Sequence, residues 1–361
     1  MESKKVSELA KQVRGVSYKP EDLHDGLNDK SVILLRANNI NDGKINFDDV
    51  VYVDKSKVSK EQYLQNGDIL ICASSGSKQL VGKAASVDFD IECTFGAFCK
   101  VVRPNPSIAE FLGIYFQSNT YRQKVSEVAI GANINNIRNE HIDNLILSVG
   151  TYEENAEIVK VMAMIQRLID ARKWEFQELD NLVKARFVEM FGDPVINSKN
   201  LETKELKNVM TLKAGDFTAA SDILDEPSES NPYPCYGGNG VRGYVAEYNQ
   251  EGEYSLIGRQ GALSGNVQYV NGKFKNTEHA LLVTPLVEIN SIWLNQLLLN
   301  LDLKRYQTGA AQPGISVKNL QEIPIVCVSI DEQNQFADFV RQADKSKLQV
   351  YQNIVINHRV A

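Results

Sequence analysis

The chain has 361 residues, 43% of them hydrophobic, which is enough for two domains with separate cores. It has no run of 18 apolar residues, and Met1 leads into the amphipathic Val6-Ser-Glu-Leu9 rather than an apolar signal core, so a cytoplasmic chain with no membrane span is expected. The net charge of −7 excludes a strongly basic nucleic-acid binder: residues 1–150 hold 18 Lys+Arg against 19 Asp+Glu and residues 201–330 hold 10 against 14, so any phosphate grip is expected to draw on a partner's cations.

Along the chain, an apolar strand at 67–71 runs into the glycine-rich loop 73–78, and Thr94-Phe-Gly-Ala-Phe98 follows. A short apolar helix is predicted over 108–116, then the loop Gly131-Ala-Asn-Ile-Asn-Asn-Ile137 and a strand carrying Leu145 and Leu147. From Glu153 to Phe191 the apolar residues keep a seven-residue register. Met162, Ile169, Phe176, Val183 and Met190 share one seam position; Ile158, Ile165 and Leu179 share the other. About 38 residues at 1.5 Å each predict a rod of about 57 Å, closed by Gly192-Asp-Pro194. Arg172 and Arg186 fall on the inner seam, either to meet acidic residues of a partner helix or to extend outward at the stripe's edge.

The same order then recurs. The strand 254–257 and the loop 258–262 match 67–78, Thr277-Glu-His-Ala-Leu281 matches Thr94–Phe98 at an offset of 183, and Gly309-Ala-Ala-Gln-Pro-Gly-Ile315 matches 131–137 at an offset of 178. A second helix begins at Asp331 with Phe336, Phe339, Val340 and Ala343 in the seam, then weakens at Lys347 and reads as a shortened counterpart of the first. The chain therefore reads as a tandem duplication of class α+β. Two mixed α/β domains, 1–151 and 193–330, alternate with a spacer helix at 152–192 and a C-terminal helix at 331–361.

No catalytic motif is apparent. Residues 76–84 approach a phosphate-binding loop but carry one residue too many between the glycines and end in Ala84. The five cysteines (Cys72, Cys93, Cys99, Cys235, Cys327) form no Cys-x-x-Cys pair and read as buried thiols, with no metal expected.

The loops carry residue types that read base edges or phosphates. In the first domain these are Arg14, Tyr18, Lys19, Arg36, Asn38, Asn39, Ser74, Ser75, Ser77 and Lys78. In the second they are Tyr236, Asn239, Arg242, Tyr244, Arg259, Gln260, Thr308 and Gln312. Scaffolds that agree while loops differ suit two different half-sites in double-stranded DNA. A two-lobed scaffold for protein or glycan ligands and a self-contained methyltransferase or nuclease are the other readings.

Four phrases carry a family resemblance: Tyr233-Pro-Cys-Tyr-Gly-Gly-Asn-Gly-Val-Arg-Gly-Tyr244, Leu256-Ile-Gly-Arg-Gln-Gly261, Thr277-Glu-His-Ala280 and Phe187-Val-Glu-Met-Phe-Gly-Asp-Pro194. With the domain–helix–domain–helix order, the chain resembles the specificity subunit of type I restriction-modification systems. The resemblance implies two target recognition domains and two long helices packed as an antiparallel coiled coil. Ile158, Met162, Ile165, Ile169, Phe176, Leu179, Val183, Phe336, Phe339 and Val340 would serve helix packing or methyltransferase docking. It implies no catalysis and no cofactor in this chain. Adenine-methyltransferase partners would use S-adenosylmethionine, and a restriction (translocase) partner would use ATP and Mg. A shortened last helix would put one docking site and the helix pairing in doubt.

Overall fold

The computed structural model describes residues 1–76, 80–131, 136–261, 263–309 and 313–360, with side chains described except at 128–131 and 349–360. Helices and strands are mixed in both of its compact units, Met1–Ile169 and Asp170–Ala361, so the α+β expectation holds.

The first unit opens with β1 (Glu2–Lys5), the one-turn helix α1 (Val6–Leu9) and β2 (Ala10–Arg14). Short strands follow: β3 (Leu23–His24), β4 (Ser31–Leu35), β5 (Ile40–Asn41), β6 (Lys44–Ile45) and β7 (Val51–Asp54). Next come β8 (Ile69–Cys72), β9 (Ala84–Ser86), β10 (Cys93–Phe95) and β11 (Cys99–Pro104). Helices α2 (Ala109–Gln117), α3 (Asn119–Gly131) and α4 (Asn139–Asp143), strand β12 (Ile146–Val149) and the start of α5 (Tyr152–Phe191) complete it.

Two four-stranded sheets form, in the orders β2-β11-β8-β9 and β10-β4-β7-β3, and β1 pairs antiparallel with β12. β8 reads Ile-Leu-Ile-Cys without alternation because both its faces are covered. Ile69 and Ile71 join a core with Leu112, Phe116 and Tyr121, whereas Leu70 and Cys72 join one with Phe95 and Val101.

The second unit repeats this plan. β13 (Thr203–Glu205), α6 (Leu206–Val209) and β14 (Met210–Ala214) reproduce the opening strand–helix–strand, with α6 lying 200 positions after α1. β15 (Tyr233–Gly237), β16 (Gly240–Val245), β17 (Gln250–Gly258), β18 (Val267–Asn276) and β19 (Ala280–Pro285) join β14 in one six-stranded sheet, ordered β14-β19-β17-β18-β15-β16. After them come α7 (Ser291–Asn300), α8 (Val317–Gln321), β20 (Pro324–Val326) and α9 (Ile330–Val360), and β13 pairs with β20 as β1 does with β12.

The two long helices start alike. Thr151 Oγ1 accepts from Glu154 N (3.3 Å) while Glu154 Oε2 accepts from Thr151 N (2.9 Å); Ser329 and Glu332 exchange the same pair at 3.3 and 3.1 Å. Such reciprocal capping satisfies amide groups the first turn leaves orphaned. Gly192, at φ +78°, ends α5 in the left-handed region, where glycine meets no steric penalty.

The C-terminal turns of α5 pack into the core of the second unit. Val183, Phe187 and Phe191, four residues apart, are buried with Trp293, Phe336 and Val340. The Phe187 ring lies 5.1 Å from Phe191 and 5.4 Å from Phe336, in edge-on contacts. Lys347 Nζ donates to Asp180 Oδ1 at 2.6 Å, and the Arg186 guanidinium lies 5.9 Å from the Phe339 ring centre. Arg172 and Arg186 form ion pairs with Glu175 and Glu189 of their own helix, at 2.5 and 2.7 Å. Of the other seam residues, Ile158, Ile165, Ile169, Phe176 and Leu179 are half-buried and Met162 is exposed. Among the described residues no helix is long and apolar enough to cross a membrane.

Candidate functional site

Beyond β8 and β17 the two units carry one loop framework. Gly82 N donates to Cys72 O and Gly265 N to Gly258 O, both at 2.8 Å, and these glycines turn the chain at φ +81° and +86°. Ala73 N donates to Phe98 O as Arg259 N does to His279 O, each at 2.9 Å. Ile137 N reaches Ala73 O at 2.7 Å and Ile315 N reaches Arg259 O at 2.9 Å; Ser74 bridges Asn136 where Gln260 bridges Gly314. Ala73 and Arg259 therefore hold one position, Ser74 and Gln260 the next, and Phe98 and His279 a third. The backbone repeats while the side chains change. Gly15 and Gly215 repeat as well: a Cβ on either would stand 2.1 Å from a carbonyl oxygen, of Gly96 or of Asn276.

In the first unit, Tyr18, Arg36, Asn38, Ser74 and Ser75 line one cleft of ≈620 Å³, with the 71% exposed Phe98 among them. Two of these side chains are held in place. Asp49 Oδ2 accepts from Arg36 Nη2 at 2.9 Å and from Asn38 Nδ2 at 2.8 Å. Asn39 is fully buried, with its Oδ1 accepting from Arg36 N at 2.8 Å, so it shapes the turn and cannot face a base; that expectation is corrected. Lys19 is exposed, 3.7 Å from Glu21. Arg14 lies apart, on an adjoining cleft of ≈620 Å³ that it shares with Lys100 and Arg138. Ser77 and Lys78 fall outside the described residues.

In the second unit, Arg259, Gln260, His279 and Thr308 line a cleft of ≈640 Å³. Gln260 Oε1 meets His279 Nδ1 at 2.9 Å. The β15–β16 hairpin comes close to this loop: a Cβ on Gly238 would lie 3.1 Å from His279 O and 3.6 Å from Arg259 N. Asn239 is thus brought beside Arg259, exposed at the hairpin tip, and Arg242 is exposed on the strand. Tyr236 is half-buried, 5.6 Å edge-on from Phe274, and burial pushes its phenol pKa up. Tyr244 is half-buried, its backbone paired with Leu224. Gln312 falls outside the described residues.

The sequence matches the family described as the type I restriction modification DNA specificity domain, over residues 1–180 and again over 198–357. The chain belongs to that family. It is 36% identical over 193 residues to the specificity subunit of the type I restriction enzyme EcoprrI of Escherichia coli, covering 52% of this chain and 48% of that one. It is 36% identical over 198 residues to the EcoKI specificity subunit of E. coli strain K12, covering 55% of this chain and 42% of the relative. The chain thus spans about half the length of these curated relatives or less. In fold it is similar to the crystal structure of a type I restriction-modification S subunit from M. genitalium, with a TM-score of 0.51 at 16% identity, covering 99% of this chain and 93% of that one.

The two matched stretches of the specificity-domain family correspond to the two copies of the loop framework. Sequence reasoning missed Phe98, Lys100, Arg138 and His279 at these clefts. Phe98 and His279 share a backbone position at an offset of 181, whereas the expected match of 94–98 with 277–281 at an offset of 183 paired Phe98 with Leu281. Gly96, not Thr94, stands where Thr277 does, and the expected register is corrected by two residues. Lys100 sits inside an apolar strand, and only strand register reveals its neighbour. Cys93 and Cys99 are buried and their thiol pKa values are pushed up to about 12, which makes them core groups at neutral pH.

Proposed function

We propose that this chain is the DNA-reading specificity subunit of a type I restriction-modification complex, each domain reading one half of a bipartite duplex site. The observation that carries this reading is the loop framework built twice with different side chains at matched positions, as two different half-sites on one scaffold require. Arg14, Tyr18, Lys19, Arg36, Asn38, Ser74 and Ser75 serve the first half. Asn239, Arg242, Arg259, Gln260 and Thr308 serve the second, with Tyr236 and Tyr244 supporting the hairpin.

The recognition domains are 1–151 and 193–330, joined by α5, and α5 and α9 pair as an antiparallel coiled coil. Contacts of Asp180 with Lys347 and of Phe187 with Phe336 support that pairing. Adenine-methyltransferase subunits dock on the helices, and the exposed Trp174 and Leu182 beside a cleft on α5 suit such a partner. The transferred methyl comes from S-adenosylmethionine bound by that partner; this chain binds and orients DNA. A restriction subunit, where present, supplies ATP- and Mg-dependent cleavage.

Mapping methylated adenines in cells with and without the gene tests the proposal. A two-part motif that disappears with the gene is expected; an unchanged methylation map contradicts it.

A further inference from the structure

β2 and β11 are antiparallel neighbours, and their register sets Arg14 directly opposite Lys100. Side chains opposite one another on adjacent strands share a face, with Cβ atoms about 5 Å apart, and two like charges placed so destabilise the pair. Among the described residues neither charge is bonded to a carboxylate. Arg14 is exposed and makes no side-chain hydrogen bond or ion pair among the described residues. Lys100 Nζ donates to the neutral Asn139 Oδ1 at 2.5 Å. Arg138 adds a third cation to the same cleft, held only loosely by Glu140 at 3.5 Å.

The facing acids do not cancel this charge. Asp143 accepts from Gln12 Nε2 at 2.7 Å, and Glu140 is shared between Arg138 and His141 on the rim. Burial first, and then the charge of Arg14, push the Lys100 pKa down, while Asp143 opposes that shift. The repulsion is therefore felt at the ammonium. A fold that sets two cations in register, with no carboxylate bonded to either among the described residues, provides a site for an external anion.

We propose that Arg14, Lys100 and Arg138 form a binding site for a phosphoryl oxyanion, and that its occupant is a phosphodiester of the DNA backbone. The choice of DNA rests on the function proposed above and on position. Ser17, Ala97 and Cys99 line both this cleft and the one holding Arg36, Asn38 and Ser74, so a strand gripped here has its bases beside the reading loop. The site is particular to the first unit. At the matching register in the second, Ala214 faces Leu281, and no charge is present.

The full-length chain and its Arg14→Gln and Lys100→Gln variants are compared in two measurements. In the first, thermal melting is followed against sodium sulfate, with sodium chloride at matched ionic strength as control. Wild type should gain Tm with sulfate beyond the chloride control. Each variant should melt at or above wild type in low salt, because the repulsion is relieved, and should lose the extra gain from sulfate. A purely structural role would lower the low-salt Tm instead. In the second, duplex affinity is measured against salt. The slope of log K on log salt should fall by about one for each variant, and Arg14→Lys should restore it.

Loss of neither response, in a wild type that binds duplex, overturns the site and leaves the proposed function standing. A sulfate response lost in the variants, with unaltered duplex slopes, makes the occupant a free oxyanion and overturns the assignment to DNA. A wild type that responds to sulfate but binds no duplex keeps the anion site and removes the proposed function along with the DNA occupant.

Discussion

Asp49 holds both Arg36 and Asn38 through one carboxylate oxygen. That pairing was not readable from the sequence, because it joins residues 13 and 11 positions apart across a loop with no repeating pattern. The residue types expected at a base-reading surface were readable. Their accessibility was not: Asn39 sits beside Asn38 yet is fully buried. Asp49→Asn should loosen Arg36 and Asn38 and relax discrimination in the first half-site by a few-fold, as competition binding between matched and single-base-changed duplexes would show; unchanged ratios would mean the two side chains do not touch bases. Replacing Arg242 or Arg259 by Ala should cost roughly 1–3 kcal/mol for each base edge the guanidinium no longer reads. The penalty should depend on the base at one position of the second half-site, whereas a generic phosphate grip would weaken all duplexes alike.

At the scale of elements, periodicity found α5 but could not divide its stripe between interhelical seam and domain core. Both use apolar residues at three- and four-residue spacings. Only the burial of Val183, Phe187 and Phe191 against α7 and α9 separates them. Phe187→Ala should destabilise the second unit by about 3–5 kcal/mol in denaturant unfolding, as loss of a fully buried ring does. Leu182→Ala, on the exposed side of the same helix, should change stability by no more than about 0.5 kcal/mol. Equal losses would contradict the division. Ser329 caps α9, and its hydroxyl and amide hold the Glu332 pKa below the usual range. Ser329→Ala should cost about 1 kcal/mol. A carboxyl with a lowered folded pKa contributes stability that is complete above its unfolded value of about 4.3 and is lost as pH falls through the folded one. The deficit of the variant, followed by urea unfolding, should therefore shrink on acidification below about pH 4; a deficit independent of pH would exclude the carboxylate from the cap.

For the whole molecule, the duplication was readable, and its register was right at Ile137 and Ile315 but two residues off at Thr94 and Thr277, where the sequence alone offers no backbone bonds to fix it. Its opening was hidden. α1 and α6 stand 200 positions apart, but the loop positions Ala73 and Arg259 match at an offset of 186, since the first unit carries a longer insertion, β3 to β7, where the second carries β15 and β16. Insertions of this kind change the residues around a site without moving the loop framework, whose hydrogen bonds recur from unit to unit. The most direct measurement is therefore a map of methylated adenines made by the complex carrying Arg259→Ala together with Gln260→Ala, set beside the wild-type map. Two separately read halves predict that the sequence of one half changes or relaxes while the other half and the gap between them are retained. A motif altered equally in both halves, or one continuous motif without a gap, would contradict it.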